Sequence, residues 1–427
     1  MPPHPSLIAH SNEFRKEIIK LAPDAYSAVG YAASTQHMIV GEDGAIIIDT
    51  SESTKAAENV LAEFRKITDK PITTIIYTHS HRDHISGASV FSEGREVEII
   101  AAHNFSSDLV AVDDTRPSPH MAMMARTKRQ FGIGLAFPDE RVNLGCGPGD
   151  RPMQGMGAGH IPPTLSISDD RVELTRAGVT MTLTKAPGET PDHMIVWLKD
   201  RKVLICGDNY YKSFPNLYAI RGTSYRDFDA WADTMDLLME FRAEVLAPGH
   251  TRPVFGADNI TKVLTDYRDA IRHVVAETAK GMNQGLGPDE LAHRVTLPEH
   301  LINQPHLQEF YGKVSWAVRA YFTGTLGWFD GNPTNLARLS PGDEATRFIR
   351  LAGGGDAVLT EAQNATSDDT DPQWALELAD RLIAAGQNTD AARKVKISAM
   401  RSLADWEINA TARNYYLLSA KELEAAQ

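Results

Sequence analysis

Apolar and polar positions alternate in short runs through the first half of the chain. Tyr26–Val40 predicts strands around a turn, and Gly44–Asp49 (GAIIID) predicts a short buried strand ending in an acid. Ser53–Thr68 carries Val60, Leu61, Phe64 and Ile67 at helical spacing. Ile72–Thr78 and Glu98–Ala102 are two further β-rich runs, which completes a βαβ rhythm. Such layers place functional groups at the carboxyl ends of strands. Arg116–His160 breaks the pattern: it is rich in Pro, Gly and Met with little periodicity, as expected of a functional loop or lid. Strand patterns resume at Arg171–Leu174, Val179–Thr184, Met194–Leu198 and Val203–Ile205. Beyond about Asn259 the spacing turns helical, with helices predicted at Thr261–Lys280, Leu307–Thr323, Trp374–Ala385 and Thr389–Asn409. The Gly353–Gly355 run and Ser367–Gln373 (SDDTDPQ) read as loops between them. The boundary falls near Ala257–Ile260, giving a mixed α/β domain over 1–257 and an all-α domain over 258–427.

Composition narrows the class. The 427 residues allow two or three domains, and 42% hydrophobic with 23% charged residues is ordinary for a globular chain. The longest apolar runs are strand-length, so no membrane span is expected. Lys+Arg of 43 against Asp+Glu of 56 leaves a net charge of −13, which argues against a nucleic-acid partner. Cys146 and Cys206 cannot build a disulfide framework or a zinc ribbon. The N-terminal stretch has no apolar core typical of a signal peptide, so the cytoplasm is the expected location.

The chemistry concentrates at Thr78-His79-Ser80-His81-Arg82-Asp83-His84, directly after the Ile72–Tyr77 run. Imidazole nitrogen and carboxylate oxygen suit zinc, and also iron or manganese. His79 and His81 can bind one ion while Asp83 and His84 turn to a second. Read from residue types alone, the same segment could be a polar loop.

This pattern resembles the metallo-β-lactamase superfamily, which implies a four-layer αβ/βα sandwich with a metal site at the edge of its sheets. The later motifs of that family follow in order: Ala186-Pro187-Gly188-Glu189-Thr190-Pro191, with Glu189 where a His is usual, then Cys206-Gly207-Asp208, then Pro248-Gly249-His250. The resemblance implies that His79, His81 and Glu189 hold one zinc, that Asp83, His84 and His250 hold the other, and that Asp208 bridges the two. Two such ions per chain can lower the pKa of a bound water toward about 7 and clamp an oxyanion. Two alternatives stand beside this: Glu189 as a plain surface carboxylate, and His193 as a substitute ligand.

Glu189 points to the alkylsulfatase branch, in which a Glu occupies that motif. The run Asp208–Asp227 resembles the string that follows the bridging acid in that branch. By position, Asn216 and Arg221 would contact sulfate and Arg226 would line the same pocket. The guanidinium fork suits a permanently charged sulfate ester. By residue type alone, Arg221 could form a surface ion pair and Asn216 could cap a turn. Phe310–Trp316, Tyr321–Asn332 and Asn414–Glu424 resemble the alkylsulfatase dimerisation domain, so an all-α homodimerisation module is expected after the sandwich. Departures from that branch are expected: an acid at Asp208 where Glu is usual, and a protein without the sterol-carrier-like domain and export signal that many members carry.

The expected protein is therefore a dinuclear zinc hydrolase that cleaves sulfate monoesters, alkylsulfatase-like, to alcohol and sulfate, with metal-bound water or hydroxide as nucleophile and a small-molecule sulfate ester as partner. Asp83, Asn216, Arg221 and Arg226 would form its catalytic set. Met121, Met123, Met124, Phe131, Ile133 and Leu135 could line an apolar pocket or form a core strip. Rival readings are a lactonase, phosphodiesterase or β-lactamase-like hydrolase, and a di-iron redox protein on the same fold.

Overall fold

A computed structural model describes residues 2–106, 119–367 and 371–426. The N-terminal half runs α1 (Pro5–His10), β1 (Glu17–Ala22), β2 (Ala25–Val29), β3 (Gln36–Val40), β4 (Ala45–Ile48), α2 (Thr54–Phe64) and β5 (Ile72–Ile76). Then come two single turns, α3 (Arg82–Ile85) and α4 (Ala88–Phe91), followed by β6 (Glu98–Ala102), α5 (His120–Gln130) and β7 (Leu165–Ile167). The second sheet is built from β8 (Arg171–Arg176), β9 (Val179–Lys185), β10 (Met194–Leu198), β11 (Val203–Gly207), β12 (Val245–Pro248) and β13 (Val254–Phe255), with α6 (Phe228–Glu240) inserted after β11.

The strands form two sheets, ordered β1-β2-β3-β4-β5-β6-β7 and β13-β12-β11-β10-β9-β8. The β4–β5, β5–β6, β6–β7 and β11–β12 pairs are parallel, and the others are antiparallel. The central strands read as unbroken apolar runs because both of their faces are covered. In β4, Ile46 and Ile48 face the second sheet, sharing a core with Val196, Ile205 and Ala247. Ala45 and Ile47 face outward onto Val60 and Phe64 of α2. Likewise Val203 and Ile205 of β11 face inward, while Leu204 and Cys206 pack under Trp231 and Met235 of α6. The result is helix, sheet, sheet, helix. This is the four-layer sandwich expected from the sequence.

The C-terminal part is helical: α7 (Ala257–Asn283), α8 (Pro288–Arg294), α9 (Glu299–Ile302), α10 (Val314–Leu326), α11 (Pro341–Leu351), α12 (Gly355–Ser367), α13 (Pro372–Ala384), α14 (Thr389–Trp406) and α15 (Ala410–Ala425). Leu264, Tyr267 and Ile271 of α7 and Val318 of α10 share the core beneath α6. A separate small core joins Ile349, Val358, Ala379, Leu382 and Val395 of α11 to α14. No helix among the described residues is long and apolar enough to cross a membrane.

Two expectations change. The helix predicted over Leu307–Thr323 starts only at Val314. The residues before it form a loop on the 213–215 segment, where Phe214 N donates to Gln308 O at 2.9 Å and Tyr311 N to Ser213 Oγ at 2.9 Å. Its apolar side chains are buried by that docking rather than by a helical face. Within the stretch read as irregular, residues 120–130 form α5; residues 116–118 and 368–370 of the predicted loops lie outside the described residues.

Candidate metal centre and anion pocket

The parallel strands deliver their carboxyl ends to one edge of the sandwich, and the motif residues leave from that edge. His79 and His81 follow β5, and Asp83 and His84 sit in the first turn after it. Glu189 lies in the β9–β10 loop, Asp208 follows β11 and His250 follows β12. Short main-chain bonds hold the edge together: Gly249 N donates to Gly207 O at 2.7 Å, Met194 N to Thr78 O at 2.8 Å, and Thr35 N to Gly249 O at 2.6 Å.

All seven side chains converge. His84 Nε2 is 3.3 Å from Asp208 Oδ1 and 3.7 Å from Asp83 Oδ2. His250 Nε2 is 3.2 Å from Asp208 Oδ2 and 3.4 Å from Asp83 Oδ2. His79 Nε2 lies 3.6 Å from Asp208 Oδ2 and 3.0 Å from His81 Nδ1, which is 3.8 Å from Glu189 Oε1. Among the described residues three ligand-type groupings result: His79, His84 and Asp208; Asp83, His84 and His250; and His81, Glu189 and Asp208. Asp208 belongs to two of them and sits centrally. His84 Nε2, Asp208 Oδ1 and Glu189 Oε2 are buried without hydrogen-bond partners. Burying such groups unpaired is costly, and converging lone pairs and carboxylate oxygens are the donor set a divalent cation satisfies. The residues therefore fit a metal centre.

The electrostatics follow from crowding. Burial alone would push the Asp208 carboxyl up, but His250, His84 and His79 outweigh it and hold it well below the usual range. Burial opposes protonation of His250, yet Asp208 and Asp83 raise it to about 9. Burial raises the Glu189 carboxyl to about 7 despite the Arg226 guanidinium beside it. Burial, then Arg226 and Arg221, hold His81 far below its ordinary value.

The three predicted anion-pocket residues lie on the segment between β11 and α6. Arg226 is buried, 2.8 Å from Glu189 Oε1, and also donates to the Asn216 carbonyl. It immediately precedes Asp227, whose side chain caps α6 by accepting from Ala230 N at 3.0 Å, so the helix start fixes it. Asn216 is buried, its N–H donates to the Tyr211 hydroxyl at 2.7 Å, and its carboxamide has no partner among the described residues. Arg221 is half-buried, with Nη1 donating to Gly222 O at 2.9 Å. It lies near enough to His81 for its charge to act there.

A scan of family models matches residues 30–250 to the metallo-β-lactamase superfamily and 287–426 to alkyl sulfatase dimerisation. The chain is 39% identical over 395 residues to a linear primary-alkylsulfatase of Pseudomonas sp. (strain ATCC 19151), covering 91% of this chain and 73% of that protein. It belongs to the alkylsulfatase family of the metallo-β-lactamase superfamily. The alkyl/aryl-sulfatase BDS1 of Saccharomyces cerevisiae is 31% identical, with 95% of this chain covering 64% of that one. The structure of the stereoselective inverting sec-alkylsulfatase Pisa1 from Pseudomonas sp. superposes with a TM-score of 0.89 at 29% identity, covering 100% of this chain and 68% of that chain.

Several members of this alkylsulfatase site escape the motif reading. Asp49 Oδ2 is 2.7 Å from His84 Nδ1, and Asp49 also accepts from Thr78 N and Thr78 Oγ1 at 2.8 Å each. The signal was there as the acid ending a buried strand. The Ala33 carbonyl lies 2.8 Å from His250 Nδ1, and its peptide N–H donates to Glu52, which pairs with Arg151. No sequence pattern marks a main-chain carbonyl. His193, weighed as a substitute ligand, has Nε2 accepting from Asp208 N at 3.0 Å and Nδ1 beside Asn209 at 3.2 Å. It orients Asp208 rather than joining the groupings. The expected apolar strip divides: Phe131 packs with Cys146 and Tyr211 and Leu135 is buried, but Met121 and Met124 are exposed on α5.

Proposed function

We propose that this alkylsulfatase family member hydrolyses small alkyl sulfate monoesters to alcohol and sulfate. The supporting observation is the juxtaposition of seven ligand-type side chains with the Asn216, Arg221 and Arg226 segment at one sheet edge. Two zinc ions held by His79, His81 and Glu189 and by Asp83, His84 and His250, with Asp208 between them, would supply Lewis acidity and a more acidic water.

The chain's own groups do the rest. The Arg221 fork and the Asn216 carboxamide donate to the sulfate oxygens, which fixes the ester's orientation. Arg226 stays paired with Glu189, favouring the ionised form against the burial that raises this carboxyl to about 7 and keeping it in place beside His81. The Arg226–Asn216 contact and the Tyr211 hydroxyl fix the main chain of Asn216, so its side chain is preorganised. The helical part is read as a homodimerisation module over 258–427 following a catalytic sandwich over 1–257. Large apolar side chains exposed between residues 326 and 351, among them Trp328 and Leu351, support that reading.

Metal analysis combined with a substrate screen tests the proposal. Two zinc atoms per chain and turnover of alkyl sulfates, with little on phosphodiesters, lactones or β-lactams, are expected. Inactivity on every sulfate ester would sink it. Two iron atoms with a visible absorption band would favour redox chemistry instead.

A further inference from the structure

The peptide group joining Ile220 to Arg221 is held on both sides by one helix. Its carbonyl accepts from Arg126 Nε at 3.1 Å and Nη2 at 2.6 Å. Its N–H donates to Gln130 Oε1 at 2.8 Å. Arg126 and Gln130 are one turn apart on α5 and therefore share a face. Helix α5 is in turn tied to the C-terminal helix. Asn414 Nδ2 donates to Gln130 O at 3.3 Å, Arg129 Nε meets Glu422 Oε2 at 2.8 Å, and Lys421 reaches Gly134 O at 3.4 Å. Gly132, at φ +59, leaves room for this approach: a Cβ there would lie 3.0 Å from Asn414 Cγ.

Surface loops otherwise wander, and a single arginine on one has many rotamers to lose on binding an anion. Clamping both polar groups of its own peptide removes the backbone part of that cost. We infer that Arg126 and Gln130 are positioning residues for Arg221, and that α15 of the helical module sets where α5 holds it. The inference rests on the reading of Arg221 as a sulfate-holding group. It makes the anion pocket depend on the C-terminal helix although no α15 residue belongs to that pocket.

The test uses the full metal-loaded chain, octyl sulfate as substrate and inorganic sulfate as a competing ligand. Arg126 is exposed, so Arg126→Ala should fold normally; Gln130→Ala is the buried companion. Each should raise KM and weaken sulfate binding by about three- to tenfold, as expected for loss of one or two hydrogen bonds, with kcat changed far less. Metal content and melting temperature of the Arg126 variant should stay put. In an Arg221→Ala background, Arg126→Ala should add nothing further to KM. If Arg221→Ala weakens sulfate binding but neither α5 variant does, the clamp is overturned and the pocket assignment survives. If Arg221→Ala itself leaves sulfate binding and KM unchanged, both fall. Additive effects of Arg126 and Arg221 would also overturn the inference, because they would place Arg126 on a separate route.

Discussion

The Asp49 carboxylate lies 2.7 Å from His84 Nδ1, and both side chains are wholly buried. This contact orients the ring so that Nε2 faces Asp208 at 3.3 Å. Partners of this kind fix the tautomer and basicity of a ligating histidine. Asp49 also accepts two bonds from Thr78, so it anchors the start of the ligand loop as well as its end. Asp49→Asn offers one acceptor oxygen where two now serve three donors. Zinc affinity should fall by about ten- to hundredfold, and the chain should lose about 3 kcal/mol of stability. Chelator competition and urea unfolding measure the two. Unchanged zinc affinity would disconnect Asp49 from the function of His84.

Glu189 and Asp208 should fail differently. Among the described residues Glu189 groups only with His81 and Asp208, whereas Asp208 also groups with His79 and His84. Glu189→Gln should therefore lower zinc content from about two to about one per chain, and Asp208→Asn should lower it toward zero. Glu189→Gln also leaves the buried Arg226 guanidinium without its carboxylate, so the metal-free variant should unfold more readily than the metal-free parent. Elemental analysis after desalting reads the first effect. Equal losses in both variants would refute a bridging place for Asp208.

The sequence was most legible where chemistry is local and dense. β4, β5, β10 and β11 could be placed because strands covered on both faces read as apolar runs. The ligand loop was visible because four ligand-type side chains within six residues are rare. Legibility ended where a partner comes from far along the chain. Asp49 could be seen as an acid ending a strand, yet its value lies in His84, 35 positions later. Helix α5 was missed for a different reason: Met121 and Met124 are exposed, so no apolar stripe marks it, and it is held by polar ties to α15 and the 220–221 peptide. The early start given to the helix at Leu307 came from apolar residues that a docked loop, not a helix, buries.

Acid should weaken the fold through His10. This ring stacks on Phe310 with centroids 4.0 Å apart and meets Gly145 O at 2.8 Å. Burial lowers its pKa from 6.5 to about 4, with the Gly145 carbonyl opposing the shift. Well above pH 6.5 neither the folded nor the unfolded chain holds this proton, and stability does not depend on it. As pH falls from 6.5 toward about 4, the unfolded chain takes up a proton that folded His10 does not, so stability is lost across that window. By pH 5 the loss from this residue is about 2 kcal/mol. His10→Gln keeps an amide donor for Gly145 without titrating. It should reduce the difference in urea unfolding free energy between pH 7 and pH 5 by about that amount. An unchanged difference would assign the acid sensitivity elsewhere.

Two glycines should prove irreplaceable, and for separable reasons. Gly207 ends β11 at φ +51, a left-handed conformation, and a Cβ there would lie 2.5 Å from His193 Cε1 and 2.9 Å from Thr78 Oγ1. Gly249 has an ordinary φ, but a Cβ there would lie 2.3 Å from Asp208 Oδ1 and 2.9 Å from His84 Cε1. The Gly207 carbonyl forms the peptide bond to Asp208, so Gly207→Ala must shift the backbone or His193, whose Nε2 accepts from Asp208 N at 3.0 Å. That adds strain of about 1–2 kcal/mol to the steric conflict. Gly249→Ala instead pushes the Asp208 carboxylate off its central place while leaving the strand ends intact. Both variants should lose zinc, but Gly207→Ala should also lower the melting temperature of the metal-stripped protein more than Gly249→Ala does. Zinc content and the thermal midpoint of the stripped chains separate the two effects. A Gly249→Ala enzyme retaining two zinc ions would show that Asp208 can occupy its place from another rotamer.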